Sequence, residues 1–153
     1  MENFTIGIIK PSTLRRGDDK GVLELMSIAH FTFLSILKKD ITSCKTTFEA
    51  FSTSIPPDKK EEYKHWWKGS SLLMVLTHPT YDPVQRWKEV MGHDNPYEAS
   101  AMSIRGMYSG AAKAGKNGHP YDDVVYGSKD KDRAFYDLDL LFPKHVVEFV
   151  RRK

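Results

Sequence analysis

The segment GAAKAGKNG, residues 110–118, contains residue types that suggest phosphate chemistry. Its glycines and Lys116 match the phosphate-loop pattern G-x-x-x-x-G-K-[ST], but Asn117 stands where a hydroxyl residue would bind magnesium. Such a loop also needs a helix directly after it, and residues 118–120 (Gly-His-Pro) cannot start one. The segment is therefore predicted to be a polar surface loop rather than the site that holds a phosphate.

The composition of the chain indicates which partners and which cellular compartment to expect. The chain has 153 residues and a net charge of +3, which is too small to argue for nucleic acid but suits an anionic small molecule. Its lone cysteine, Cys44, excludes an internal disulfide and is typical of a reducing compartment. No signal peptide or membrane span is evident. We expect one domain, residues 1–153, in the cytoplasm, without a membrane or nucleic-acid partner.

Short apolar runs predict the strands of this domain. They occupy residues 4–9, 31–37, 72–76 and 138–142. Residues 14–17 are predicted to form a turn, and residues 93–129 a long irregular stretch. Lys10 follows the first strand directly, at its carboxyl end.

Helical patterns lie between these runs. A helix is predicted around residues 22–29, and a helical pair over residues 46–69 that is split at Ile55-Pro56-Pro57. Asp82-Pro83 opens another helix that Gly92 closes, and Pro143 opens a short helix at the C-terminal end. The order predicts an α+β fold: a ferredoxin-like β-α-β-β-α-β sandwich with an antiparallel sheet and an added helical hairpin.

Five short blocks occur in an order that identifies a family. They are IIKP at 8–11, RRG at 15–17, WKEVMGHDNP at 87–96, IRG at 104–106 and VVYGS at 124–128. Together they resemble the nucleoside diphosphate kinases, from Phe4 to about Phe142. The resemblance implies the fold inferred above and transfer of a γ-phosphoryl group from a nucleoside triphosphate to a diphosphate through a histidine. It also implies Mg²⁺ bound through the nucleotide, no separate metal site, and a homo-oligomer.

The resemblance assigns three cations to the nucleotide. Lys10 matches the family's catalytic lysine, Arg105 matches its phosphate-binding arginine, and Lys88 lies where a second arginine is usual. Three cations around a triphosphate suit a transition state with dispersed negative charge. Lys88 is equally well explained as a surface charge, because lysine lacks the bidentate fork of arginine.

The departures from the family lie around the same site. Tyr126 stands at the position of the nucleophilic histidine, and Asp137 replaces the glutamate that orients it. Asp123 replaces an asparagine and Asp94 a threonine, both at nucleotide-binding positions. A phenol with a pKa of about 10 is protonated at neutral pH, and a phosphotyrosine ester is too stable to pass its phosphate on. Nucleotide binding with lost or strongly impaired phosphotransfer is therefore predicted.

Two alternatives remain open at this point. The chain could be an active kinase with an unusual nucleophile, for which His93 and His119 are the nearest candidates. It could also be a non-catalytic interaction domain. Oligomer formation is a further open point, because residues 100–103 (Ser-Ala-Met-Ser) stand where the family usually has a Pro-Gly-Thr turn.

Overall fold

Four strands form one antiparallel sheet in the computed structural model, which describes residues 3–109 and 122–153. They are β1 (Thr5–Ile9), β2 (Thr32–Lys39), β3 (Ser71–Thr77) and β4 (Val125–Gly127), in the spatial order β2-β3-β1-β4. Each neighbouring pair is antiparallel, and all five residues of β1 are buried. This order confirms the predicted ferredoxin-like α+β fold.

Helices cover both faces of the sheet. They are α1 (Pro11–Arg16), α2 (Asp19–Ile28), α3 (Lys45–Phe51), α4 (Lys60–Trp67), α5 (Pro83–Met91), α6 (Ile104–Tyr108), α7 (Lys131–Leu141) and α8 (Lys144–Arg152). Single 3₁₀ turns occupy Ile41–Ser43 and Pro57–Lys59. Helices α3 and α4 form the added hairpin that the sequence predicts. Among the described residues, no helix is long and apolar enough to span a bilayer.

Side chains of β1 alternate between two hydrophobic clusters. Ile6 and Ile8 pack with residues of α3, α4, α7 and α8, whereas Ile9 packs with residues of α2 and α5. The helix α5 approaches the sheet closely because two glycines face it. A Cβ atom on Gly7 or Gly127 would lie only 3.2 or 2.6 Å from atoms of the Trp87 ring. The indole Nε1 consequently reaches the Tyr126 carbonyl oxygen at 3.1 Å.

The predicted strand at 138–142 is wrong. Residues 138–141 are the last turn of α7, and the fourth strand of the described chain is β4 instead. Ala134, Leu138 and Leu141 are fully buried and recur at steps of four and three, the spacing of one helical face. An apolar run of five residues fits a strand or a buried helical turn equally well, so the run itself does not discriminate.

Two further expectations need correction. Residues 14–16 belong to α1 rather than to a turn, and only Gly17 leaves the helix, with a left-handed φ of 79°. The stretch 93–129 is not uniformly irregular, because it contains α6 and β4. The glycine- and lysine-rich segment 110–118 and His119 lie outside the described residues.

Candidate functional site

The site is built where the end of β1 meets the start of β4. Ile8 pairs with Tyr126 and Ile9 with Val125. The Lys10 amide then donates a 3.0 Å hydrogen bond to the carbonyl oxygen of Val124. This pairing brings residues from the two ends of the chain next to each other.

A strained turn precedes β4. Val124 has a φ of +72°, and the Val125 amide donates a 2.8 Å hydrogen bond to the carbonyl of Asp123, two residues back. Positive φ is unusual for a β-branched residue, and such backbone strain costs about 1–3 kcal/mol. The Val124 carbonyl is held from two directions, by the Lys10 amide and by the Thr13 hydroxyl at 3.0 Å. The surrounding hydrogen bonds therefore hold Asp123 and Tyr126 in place on either side of this turn.

Lys10 is a buried cation. Its side chain forms an ion pair with the Asp123 carboxylate, and only 4% of the residue is exposed. The ammonium also lies 4.7 Å from the ring centroid of Trp67, which is itself fully buried. A carboxylate and an aromatic face thus replace water around this charge.

Arg105 links three segments of the site. Its guanidinium donates to the carbonyl oxygens of Gly92 (2.9 Å), Asp123 (3.0 Å) and Val125 (3.0 Å). Its Nη1 contacts the Asp94 carboxylate at 3.3 Å, and its Nη2 lies 3.4 Å from the Asp123 carboxylate. Every guanidinium nitrogen already has an acceptor within the protein. A ligand that binds Arg105 must therefore displace one of these acceptors, and the Asp94 carboxylate is exposed.

A cavity of about 520 Å³ opens beside these residues. Its charged or titratable lining residues are Lys88, Arg105, Lys129, Asp94, Asp123 and His93, and Tyr126 forms part of its wall. The Lys88 ammonium donates to the carbonyl oxygen of Lys129. The structure thus brings Lys88, Asp94, Arg105, Asp123 and Tyr126 to one cavity. Lys10 and Asp137 do not line it: Lys10 contacts Asp123, and Asp137 contacts Tyr126.

Tyr126 is held by a buried carboxylate. Its hydroxyl donates a 2.8 Å hydrogen bond to Oδ2 of Asp137, which is fully buried. The Asp137 carboxylate also accepts from Ser128 Oγ and from Arg133 Nε, both at 2.8 Å. Burial raises the pKa of Asp137 above its ordinary value. Burial and then the nearby Asp137 charge raise the pKa of Tyr126 well above its usual range. The phenol is therefore protonated at neutral pH.

Arg133 is the residue that sequence reasoning missed. It pairs with Asp137 across one turn of α7, and its Nη2 donates a 2.8 Å hydrogen bond to the Phe51 carbonyl oxygen. The signal was present as opposite charges at positions i and i+4, which meet on a helix. The strand predicted at 138–142 hides this signal, because no helix is then predicted over residues 131–141.

His93 lies on the wall of the cavity with both ring nitrogens engaged. Its Nδ1 accepts a 2.9 Å hydrogen bond from the Asn95 amide, and its Nε2 lies 3.5 Å from the Glu98 carboxylate. A histidine that attacks phosphorus needs a free lone pair on one nitrogen. In this conformation neither nitrogen of His93 is available to a ligand in the cavity.

Comparison with known proteins shows the family to which the chain belongs. Residues 3–147 match the family model described as nucleoside diphosphate kinase. The chain belongs to the nucleoside diphosphate kinase family.

Individual relatives differ in how much of their own length the chain covers. The chain is 30% identical over 146 residues to thioredoxin domain-containing protein 6 of Mus musculus, covering 91% of this chain but only 41% of that protein. It is 24% identical over 138 residues to a nucleoside diphosphate kinase of Geobacter sulfurreducens, covering 90% of this chain and 93% of that protein. The crystal structure of the Encephalitozoon cuniculi nucleoside diphosphate kinase has a TM-score of 0.77 at 19% identity, with 95% and 92% of the two chains covered. The last likeness shows the same fold.

Proposed function

We propose that the chain binds the phosphates of a nucleoside di- or triphosphate in the cavity and that phosphoryl transfer through Tyr126 is lost or strongly impaired. The observation that carries this proposal is the engagement of the Tyr126 hydroxyl by buried Asp137 at the wall of a cation-lined cavity. The cavity is suited to binding an anion, whereas the residue at the expected nucleophile position is not suited to attack one.

The lining charges support phosphate binding. Lys88, Lys129 and Arg105 face the cavity, and Lys10 lies behind Asp123. Charged nitrogen donors form strong hydrogen bonds with phosphate oxygens, particularly where little water remains. Asp94 and Asp123 oppose binding, because each places a carboxylate beside Arg105. We therefore expect measurable but weakened nucleotide affinity.

The chemistry of Tyr126 argues against a phosphoryl shuttle. We place this residue where the family has its nucleophilic histidine. To attack phosphorus, the phenol would have to lose its proton, and Asp137 already accepts from Ser128 and Arg133 as well. Burial beside that carboxylate disfavours a second negative charge on the phenol. Any ester formed would also be too stable to return its phosphoryl group.

Magnesium fits this site as a partner of the nucleotide. Among residues 3–109 and 122–153, no three His, Cys, Asp or Glu side chains form a group able to hold a metal ion. The exposed Asp94 is the cavity carboxylate best able to contact an ion brought in on phosphate oxygens. When bound, the ion would neutralise phosphate charge that Lys88 and Arg105 do not.

We also propose that the chain self-associates. Strand β2 lies at one edge of the described sheet, and Ile36 on that strand is about half exposed. Met102, in the segment where the family usually has a Pro-Gly-Thr turn, is 79% exposed. Light scattering on the purified chain tests this proposal, and a monomer at all concentrations would contradict it.

The function is tested by measuring binding and turnover on the same preparation. Calorimetric titration with Mg–ADP is expected to show binding, and ADP is expected to raise the melting temperature. A coupled assay of phosphotransfer from ATP is expected to give no turnover above background. An acid-labile phosphoprotein after incubation with radiolabelled ATP would instead indicate an active histidine nucleophile. Absence of any binding would favour a non-catalytic interaction domain.

A further inference from the structure

We infer that Asp123 is an internal anionic ligand of the site's two buried cations and limits how many phosphate groups the cavity binds. This inference rests on the proposed nucleotide-binding function and specifies the ligand class. The expected ligands are phosphate esters of low charge, such as a nucleoside monophosphate, bound about as well as the corresponding triphosphate.

The first step is the position of the carboxylate. One oxygen of Asp123 pairs with Lys10, and the other lies 3.4 Å from Nη2 of Arg105. Lys10 and Arg105 are each only 4% exposed, and the Asp123 side chain is 16% exposed. The carboxylate is therefore already paired with the two cations that a polyphosphate would need. Water screens charge poorly in these buried surroundings. Each phosphate placed there would meet this negative charge at short range.

The second step is that Asp123 cannot easily move away. Its carbonyl oxygen accepts hydrogen bonds from Arg105 Nε (3.0 Å) and from the Val125 amide (2.8 Å). These contacts hold the backbone on both sides of the strained turn at Val124. Asp94 differs, because its side chain is 98% exposed and its ion pair is with Arg105. Water can solvate Asp94 when it swings out, so a ligand displaces Asp94 readily but not Asp123.

The third step is the charge that remains for a ligand. Lys88, Lys129 and Arg105 face the cavity together with the carboxylates of Asp94 and Asp123. Most of the positive charge is thus neutralised within the protein, and displacement of Asp94 exposes one edge of Arg105. This arrangement matches one phosphate group well. A second and third phosphate would add repulsion from Asp123 without gaining Lys10.

The test begins with the unmodified chain. Calorimetric titrations with AMP, ADP and ATP, each with Mg²⁺, are expected to give dissociation constants within about tenfold of one another. The Asp123→Asn variant keeps the side-chain shape but removes the charge, and its ATP affinity is expected to rise by about tenfold or more. Asp94→Asn makes the same chemical change beside the same arginine. Because the Asp94 side chain is exposed and water screens its charge, the gain in ATP affinity of this comparison variant is expected to be smaller, below about threefold.

Several outcomes would overturn the inference. One is ATP binding more than about tenfold tighter than AMP in the unmodified chain. Another is a gain in Asp123→Asn no larger than in Asp94→Asn. Thermal melting shows whether Asp123→Asn folds, and if it does not, the series on the unmodified chain decides. Binding by Asp123→Asn alone would support the role of Asp123 but refute the proposed retention of binding. No binding by any of the three proteins would refute both proposals.

Discussion

The Tyr126 hydroxyl and the Asp137 carboxylate are joined by a 2.8 Å hydrogen bond behind the wall of the cavity. The pair is packed among aromatic side chains, with the Phe51 ring centroid 5.1 Å from that of Tyr126. Asp137 is fully buried and depends on its three donors to offset its lost hydration. The residue that we propose at the family's nucleophile position therefore contributes to the stability of the fold.

Removing the hydroxyl should destabilise the protein. We expect Tyr126→Phe to lower the free energy of unfolding by about 1–3 kcal/mol, because a buried carboxylate loses one of its donors. Chemical denaturation measures the change. Tyr136→Phe is the matched control, since the Tyr136 hydroxyl also donates at 2.8 Å but from a partly exposed ring. Equal losses of unfolding free energy in the two variants would show that the Tyr126–Asp137 hydrogen bond stabilises the fold no more than the Tyr136 bond does.

Placing a histidine at position 126 alone should not give the chain phosphotransfer activity. We expect Tyr126→His to stay near background in the coupled assay, because the carboxylates of Asp94 and Asp123 repel the triphosphate. Asp137 is also one methylene shorter than the glutamate that would orient an imidazole, and orientation affects rate by orders of magnitude.

Changing the whole pocket is the matched comparison. The fourfold variant combines Tyr126→His with Asp94→Thr, Asp123→Asn and Asp137→Glu. Its gain in turnover is expected to exceed the sum of the gains from the single changes, because the groups act as a unit. Turnover near that of a family enzyme from Tyr126→His alone would refute the explanation.

Stability should fall at alkaline pH. Burial raises the pKa of Tyr63 to about 12 and that of Tyr126 further, whereas both phenols have a pKa of about 10 in the unfolded chain. The folded state thus holds protons that the unfolded state releases. The stability contributed by the neutral phenols is complete below about pH 10 and is lost as the pH rises through the folded-state values. Denaturation curves at several alkaline pH values measure the slope. Tyr126→Phe and Tyr63→Phe should each reduce it, and an unchanged slope in both would contradict the assignment.

Arg105 should matter for stability as well as for binding. We expect Arg105→Met to cost about 3–5 kcal/mol, because it leaves the Gly92, Asp123 and Val125 carbonyls without their donor and a carboxylate with one cation fewer. Lys88→Met, at an exposed position on α5, should change stability by no more than about 0.5 kcal/mol. Thermal and chemical denaturation compare the two. A small effect of Arg105→Met would mean that the fold does not depend on this network.

Lys88 should affect ligand binding instead. Lys88→Met is expected to weaken Mg–ADP binding by about threefold to tenfold, because one cavity cation is lost. Lys38→Met serves as the control, since Lys38 is an exposed lysine on β2, at the opposite edge of the sheet from β4. Equal effects in the two variants would indicate a general charge effect rather than a contact in the cavity.

Local signals predicted the elements well where they were strong. Helix α5 has both predicted ends, because the Asp82 side chain caps its first turn and Gly92 ends it. The strand predicted at 138–142 is wrong because this apolar run is short, and the buried face of α7 becomes evident only over the whole helix. The three-residue strand β4 is too short to have a periodicity of its own.

The sequence predicts that the site residues lie close together but not how they pair. The order of short motifs pointed to Lys10, Arg105 and Asp123, and the structure places them in contact. Nothing in the sequence indicated that the Asp123 carboxylate would pair with both cations, because that depends on the turn at Val124. Nor did it indicate that Trp67 would lie against Lys10. Contacts between distant segments follow from packing, which local patterns do not record.

The contact between Lys10 and Trp67 gives the molecule an optical reporter. An indole shifts its fluorescence emission when the electric field across its ring changes, and the Lys10 ammonium lies 4.7 Å from the ring centroid of Trp67. Trp87 lies on the other side of β4 and donates a hydrogen bond to the Tyr126 carbonyl. Two of the three tryptophans therefore contact residues of the site, although neither lines the cavity itself. An event that moves the Lys10 charge will shift the wavelength of the protein's own emission, so opening of the Lys10–Asp123 pair can be followed without a label.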